Sequence, residues 1–301
     1  MTLRHRHRSA TGVRALSTER ISPRYSDLDL WPTADAVAAI LEGQLAAAAA
    51  VQAASDAIAE AADAAAARLR KNGRLIYCGA GTSGRLAVLD GVELGPTYDW
   101  SRTVYALAGG MDAMLESVEG AEDDTAAAEA AIRKAAPAPA DVVIGVAASG
   151  RTPFTVAAIG AARTAGALTI GLASNAGTPL LSASDHPIPL LTGPEVVAGS
   201  TRMKAGTAQK IALNTLSTAI MLRLGRVHAG LMVEMRLSNA KLQSRAAAIV
   251  AQIAETDRAT AETALTASGG SIKRAVLIAL GRDEAALDEA DGNLRNALRR
   301  R

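Results

Sequence analysis

Residues 74–86 read Arg74-Leu75-Ile76-Tyr77-Cys78-Gly79-Ala80-Gly81-Thr82-Ser83-Gly84-Arg85-Leu86. A short apolar run ends on a glycine, a Gly/Thr/Ser turn follows, and helical periodicity then resumes. A strand that feeds a helix through a tight loop has this grammar. It returns at Asp141 to Ala147, an apolar run leading into Ala148-Ser149-Gly150-Arg151-Thr152-Pro153 and a helical stretch through Ala165. Further strand-like runs lie at 103–107, 169–173 and 188–191. Strands alternating with helices pack as a parallel sheet covered on both faces. The expected fold class is therefore α/β, a doubly wound parallel sheet flanked by helices.

Upstream of this core, Thr33 to Arg70 reads as one helical stretch of Ala-rich periodicity, with Thr33 as candidate N-cap and Asn72-Gly73 as the stop. Downstream, Arg202 to Leu224 reads as a long helix, Gly225 interrupts it, and the remainder is almost purely helical. Residues 257–281 suit a small helical bundle broken at Gly269-Gly270. The expected division is an irregular segment over 1–33, an α/β unit with its N-terminal helix over 34–225, and a C-terminal helical subdomain over 226–301.

Composition narrows the function. Of 301 residues, 49% are hydrophobic but only 2% aromatic, which suits closely packed helices and offers few stacking platforms for nucleic acid. The net charge of +2 is too small for a protein dedicated to polyanions. Basic residues gather at the ends, Arg4, Arg6 and Arg8 with His5 and His7, then Arg299 to Arg301, and read as solvated termini. A single cysteine, Cys78, excludes an intrachain disulfide and a cysteine zinc cage, and its apolar run marks an inert core thiol. No apolar run reaches the roughly 20 residues that span a bilayer, and no apolar segment follows the charged N-terminus as in a signal peptide. A cytoplasmic protein with no membrane or nucleic-acid partner is expected.

The loop over 79–85 can bring backbone N–H groups, a helix start and the hydroxyls of Thr82 and Ser83 to an anion. It lacks the Gly-Lys-Ser/Thr of a nucleotide-phosphate loop and has the wrong glycine spacing for a dinucleotide fingerprint. Alone, it is equally a connector or a phosphate cradle. The second loop adds Ser149, Gly150, Arg151 and Thr152 after another strand. Both loops then fall at the carboxyl ends of parallel strands, where ligands of open α/β sheets bind. A small phosphorylated ligand is the expectation.

Three blocks together carry a resemblance: residues 79–86, residues 148–153, and Gly199-Ser200-Thr201-Arg202-Met203-Lys204-Ala205-Gly206-Thr207-Ala208-Gln209-Lys210. With Leu89-Asp90-Gly91-Val92-Glu93, Val118-Glu119-Gly120-Ala121-Glu122-Asp123 and Leu213 to Thr218, they resemble the N-acetylmuramic acid 6-phosphate etherase family, within the sugar isomerase (SIS) superfamily. The resemblance runs from about Thr18 to near residue 280. It implies an SIS-type sheet and a lyase of cell-wall amino sugar recycling. That lyase removes the D-lactyl ether from C3 of the phosphosugar, leaving N-acetylglucosamine 6-phosphate and D-lactate. It also implies elimination then hydration, without metal or redox cofactor, in a homodimer.

By the same resemblance Glu93 protonates the departing lactate and activates the incoming water, and Glu122 is the base at C2, with Glu119 as its competitor. Such a pair must divide into proton donor and acceptor. Thr82, Ser83, Ser149 and Thr152 would hold phosphate with the N–H groups of Gly84 and Gly150. Arg85 and Arg151 would add charge or face solvent, and Lys204 would meet the lactyl carboxylate or form a salt bridge. Arg202, Lys210, His186 and His228 carry weaker expectations. The chain departs from the family at Val92-Glu93-Leu94-Gly95-Pro96-Thr97, where Ser-Glu-Cys-Pro-Pro-Thr is usual, and at Leu41-Glu42-Gly43-Gln44. Two other readings of the fold are a non-catalytic phosphosugar-sensing regulator and an aldose–ketose phosphosugar isomerase. A regulator does not need both glutamates, and an isomerase does not account for residues 200–210.

Overall fold

The computed structural model describes residues 16–299; the basic cluster at residues 4–8 lies outside them. Helices α1 (Thr33–Ala53) and α2 (Ser55–Leu69) lead into β1 (Leu75–Gly79), α3 (Gly81–Tyr98) and β2 (Thr103–Leu107). Next come α4 (Thr125–Ala135), β3 (Val142–Val146), α5 (Pro153–Thr164), β4 (Leu168–Ala173), α6 (Pro179–Ala183) and β5 (His186–Pro189). The sheet order is β2-β1-β3-β4-β5, all parallel. Strand direction of travel reverses between β1 and β3, which makes that junction the topological switch point.

Alternation along the strands builds two cores. Leu75 and Tyr77 face α1, α2, α3 and the long helix α7 (Lys204–Arg223), whereas Ile76 and Cys78 face α4, α5 and α6. Cys78 is 1% exposed, and burial pushes its thiol up to about 12, so it stays protonated and inert as expected. Beyond Gly225 a hairpin of β6 (Val227–His228) and β7 (Leu231–Met232) precedes α8 (Ala240–Ala254), α9 (Arg258–Ala267) and α10 (Ile272–Ala279). Two shorter helices, α11 (Ala285–Glu289) and α12 (Leu294–Arg299), complete the C-terminal part. These helices share a third core around Ala246, Val250, Ala275 and Val276. The hairpin corrects the expectation of helix alone after Gly225.

Three further expectations change. The stretch 33–70 is two helices, because the chain turns at Ala54 so that both can lie along α7. Thr33 does not cap: Pro32 holds that position, and its carbonyl takes the N–H groups of Asp35 and Ala36. Finally, α1 is 21 residues long with mean hydropathy 1.4, so one helix does reach membrane-spanning length and composition. Alanine inflates that figure. Ala39, Gly43, Ala47 and Val51 are buried, while Val37, Leu41 and Leu45 form an exposed stripe at i, i+4, i+8.

Candidate functional site

The first loop owes its shape to two glycines. Gly81 takes a left-handed φ of 52°, which turns the chain from strand into helix. A Cβ on Gly84 would lie 2.9 Å from the backbone of Gly79 and 2.2 Å from Leu107 Cδ1, so α3 can press its first turn onto the end of β1 only because position 84 is bare. The N–H of Gly84 donates to Ala80 O at 3.0 Å. It is the first helical N–H to find a carbonyl, which leaves those of Gly81, Thr82 and Ser83 as orphan donors at the helix start. Thr82 is half-buried and Ser83 buried.

The second loop begins directly beside the first, since Gly79 pairs with Val146 across β1 and β3. Gly150 has φ of 67°, and a Cβ there would meet Thr178 Oγ1 at 2.3 Å. Its N–H donates to Ala147 O at 3.0 Å. The N–H groups expected of Gly84 and Gly150 are thus already spent; what these two glycines contribute is room and conformation. Ser149 Oγ accepts from the N–H of Arg151 at 3.1 Å and lies 3.5 Å from Thr152 Oγ1. Both hydroxyls stay half-buried at the start of α5, where Pro153 fills the first helical position. Arg151 itself is exposed.

The third block brings α7 to the same place. A Cβ on Gly206 would sit 3.6 Å from Thr82 Cγ2, so the first turn of α7 abuts the first loop. Sequence reasoning missed what holds it there. Glu195, fully buried, accepts from the N–H groups of Lys204 and Ala205, each at 2.9 Å, and caps α7 from outside the helix with a charge its dipole favours. Lys204 is buried, and its Nζ donates to Pro194 O at 2.9 Å. Burial lowers its pKa while the Glu195 charge opposes that shift. Its stem runs over Gly43, whose missing side chain leaves space for it. Asn175, after β4, was likewise unread. Its side chain binds Ala148 O at 3.1 Å and accepts from Ser17 N and Oγ, which pins the N-terminal segment across the ends of β3 and β4.

Glu93 lies nine residues beyond Gly84 on α3, an axial rise of about 13 Å, and is exposed. Helical side chains lean toward the N-terminus, which returns its carboxylate part of the way to the loop. Asp90, one turn earlier, anchors this stretch: it is 3% exposed and accepts from Tyr77 OH at 2.8 Å, Asn214 Nδ2 at 2.6 Å and Ser217 Oγ at 3.0 Å. Leu94 is buried, and Gly95 and Pro96 continue the helix to Tyr98. Glu122 sits in a single 3-10 turn (Ala121–Asp123) that packs on α5 and is exposed too. No hydrogen bond joins the two glutamates. Glu119 and Asp123 are exposed, and the neighbouring Asp124 caps α4.

Arg85 is half-buried and turns to two backbone carbonyls. Its Nε donates to Ala113 O at 2.9 Å and its NH2 to Glu116 O at 3.3 Å, which ties α3 to the segment leading to Glu122. Arg85→Met is expected to lower turnover about 10- to 100-fold by letting that segment drift. Phosphosugar affinity and melting temperature should stay near those of the parent chain, as steady-state kinetics, equilibrium binding and calorimetry would read. Arg202 and Lys210 are exposed. His186 opens β5 at the opposite edge of the sheet. His228 lies in the hairpin, where burial and then Arg295 depress its pKa.

Among the described residues no group of His, Cys, Asp or Glu could hold a metal ion. The parallel sheet, its switch point and the two hydroxyl-bearing loops define an SIS-type α/β protein. A family model, the glucokinase regulatory protein N-terminal SIS domain, matches residues 57–163. The N-acetylmuramic acid 6-phosphate etherase of Deinococcus radiodurans is 50% identical over 93% of this chain and 94% of its own length. That of Streptomyces avermitilis is 45% identical over 99% and 98%. The chain belongs to the N-acetylmuramic acid 6-phosphate etherase family. A crystal structure from Bacteroides fragilis, of a protein provisionally named a phosphosugar isomerase involved in capsule formation, shares the fold at TM-score 0.50 and 20% identity, over 66% of this chain and 99% of that one.

Proposed function

We infer that the chain is a carbon–oxygen lyase that cleaves the D-lactyl ether of N-acetylmuramic acid 6-phosphate. The observation that carries this is the 50% identity to an etherase over nearly the full length of both chains, with the paired loops supplying a place for the phosphate. In this reading Thr82, Ser83, Ser149 and Thr152 hold the phosphoryl oxygens, the orphan donors of α3 adding to them. Gly84, Gly150 and Arg151 shape the loops. Glu122 removes the C2 proton, the C3–O bond breaks, and Glu93 protonates the leaving D-lactate. Water activated by Glu93 then adds across the C2–C3 double bond, its oxygen at C3, and the proton returns to C2. Lys204 is already engaged by Pro194 O but retains donor capacity for a carboxylate.

Turnover in heavy-oxygen water tests the sequence of steps. One labelled oxygen is expected at C3 of N-acetylglucosamine 6-phosphate and none in the lactate. Label in the lactate, or release of no lactate while phosphosugar binding persists, overturns it. The second result would point to a sensor.

A homodimer fits this reading. Leu89 and Val92 are exposed beside Glu93 on α3, as are Val37, Leu41 and Leu45 on α1. Apolar faces of this kind are covered in assemblies, and a second copy over α3 would enclose a glutamate that one chain leaves in water. A charged sugar phosphate does not cross a bilayer unaided, which supports a cytoplasmic site of action.

A further inference from the structure

At the edge of the sheet opposite the loops, a cleft of about 690 Å³ opens between the α/β core and the C-terminal helices. That is the size of a small-ligand pocket. Five cations line it: Arg70 after α2, Arg102 before β2, Arg223 and Arg226 around the end of α7, and Lys273 on α10. Only Glu234 and Asp291 oppose them on the walls, a surplus of three positive charges.

Part of that surplus is already neutralised, inside the cleft and beside it. Glu234 is shared between Arg226 and the buried Lys273. Arg223 reaches out of the cleft to Asp63 at 2.7 Å. Arg70 and Arg102 have no carboxylate partner among the described residues. Arg70 donates to Arg223 O and Arg102 to Asn72 Oδ1, each at 2.6 Å, both neutral acceptors. Every guanidinium offers five N–H donors in a planar fork suited to phosphate, so most of the capacity of these two is unspent.

Arg102 and Arg226 also crowd a single ring. Their guanidinium carbons lie 4.3 and 5.2 Å from the centre of Trp100. Desolvation first, and repulsion from Arg226 second, lower the pKa of Arg102. An anion between them would relieve that repulsion. The amides of Asn293 and Asn296 on the far wall could bind uncharged hydroxyls.

We propose that this cleft binds a phosphomonoester of sugar-phosphate size, at a site separate from the loops at the carboxyl edge. Five-residue strands hold the two edges about 17 Å apart. The inference rests on the cleft's own charge and shape and stands whether or not the chain is an etherase. Because the cleft joins the C-terminal helices to the ends of α2 and α7, occupancy would tie these parts together.

Trp100 is the reporter. The chain has two tryptophans, so Trp31→Phe leaves the indole in the cleft as the sole one. Inorganic phosphate and glycerol 3-phosphate are titrated into this variant at constant ionic strength, with chloride as the exchanged ion, and fluorescence is followed. A saturable change with either phosphate is expected. Adding Arg102→Gln, or the exposed Arg70→Gln, should weaken it at least tenfold. Adding Ser149→Ala at the carboxyl edge should leave it in place. Saturation with the ester alone shows that the ester's hydroxyls are also read, whereas saturation with both shows that the phosphoryl group suffices. No saturable change with either, a change that both arginine variants leave intact, or one that Ser149→Ala abolishes overturns the proposal.

Discussion

Glu93→Gln is expected to reduce lactate release about 10³-fold, a loss of about 4 kcal/mol in transition-state stabilisation. Phosphosugar affinity should stay within about twofold. The amide keeps the size and polarity of the side chain and removes its ability to exchange a proton. Glu93 is exposed on α3 and its side chain holds no other element in place, so the substitution leaves the protein's architecture as it is. The neighbouring anchor of the helix, Asp90, is untouched and keeps its bonds to Tyr77, Asn214 and Ser217. Lactate release by a coupled assay, beside equilibrium binding of the phosphosugar, separates the two effects. Turnover within tenfold of the parent chain would remove Glu93 from the chemistry. Weakened binding with unchanged turnover at saturation would make it a binding group.

Gly150→Ala is expected to be the most damaging single methyl at the site. Two costs add at this position. A φ of 67° carries about 1–2 kcal/mol of strain for a residue with a Cβ. The new methyl would also lie 2.3 Å from Thr178 Oγ1 and 2.6 Å from Thr178 Cβ. Thr178 cannot swing away: it is 1% exposed and stands at the N-cap position of α6. The second loop must therefore move, carrying Ser149 and Thr152 with it. A stability loss of about 2–4 kcal/mol is expected, with phosphosugar affinity at least tenfold weaker. Gly81→Ala is the control. It shares the positive φ but has open space around its Cβ, so it should show the strain without the displacement. Equal effects from the two variants would refute the steric argument.

The α/β class was legible because strands and phosphate loops are local. An apolar run of five residues, a glycine turn and a helical period are written contiguously, and β1, β3 and both loops fell within a residue or so of their expected places. The pattern at 188–191 shifted to β5 at His186–Pro189 because that edge strand carries two prolines and only one buried residue, so its apolar signal is weak. The break at Ala54 has no glycine or proline to announce it. It exists because α1 and α2 must both follow α7, a demand made from 150 residues away.

For the site, the sequence determined which chemistry-bearing groups stand on which element: hydroxyls in two loops after strands, glutamates on and beyond α3. Local spacing settles such placement, since a turn or a helix repeats over a few residues. Only the tertiary structure decided how each group is spent. The N–H groups of Gly84 and Gly150 go to carbonyls of their own turns. Arg85 donates to Ala113 O and Glu116 O and braces the approach to Glu122. Lys204 is held by Pro194, and Glu195 closes the N-terminus of α7. Each of these follows from which partner packs within about 3 Å, and that distance is fixed by the assembled sheet and helices.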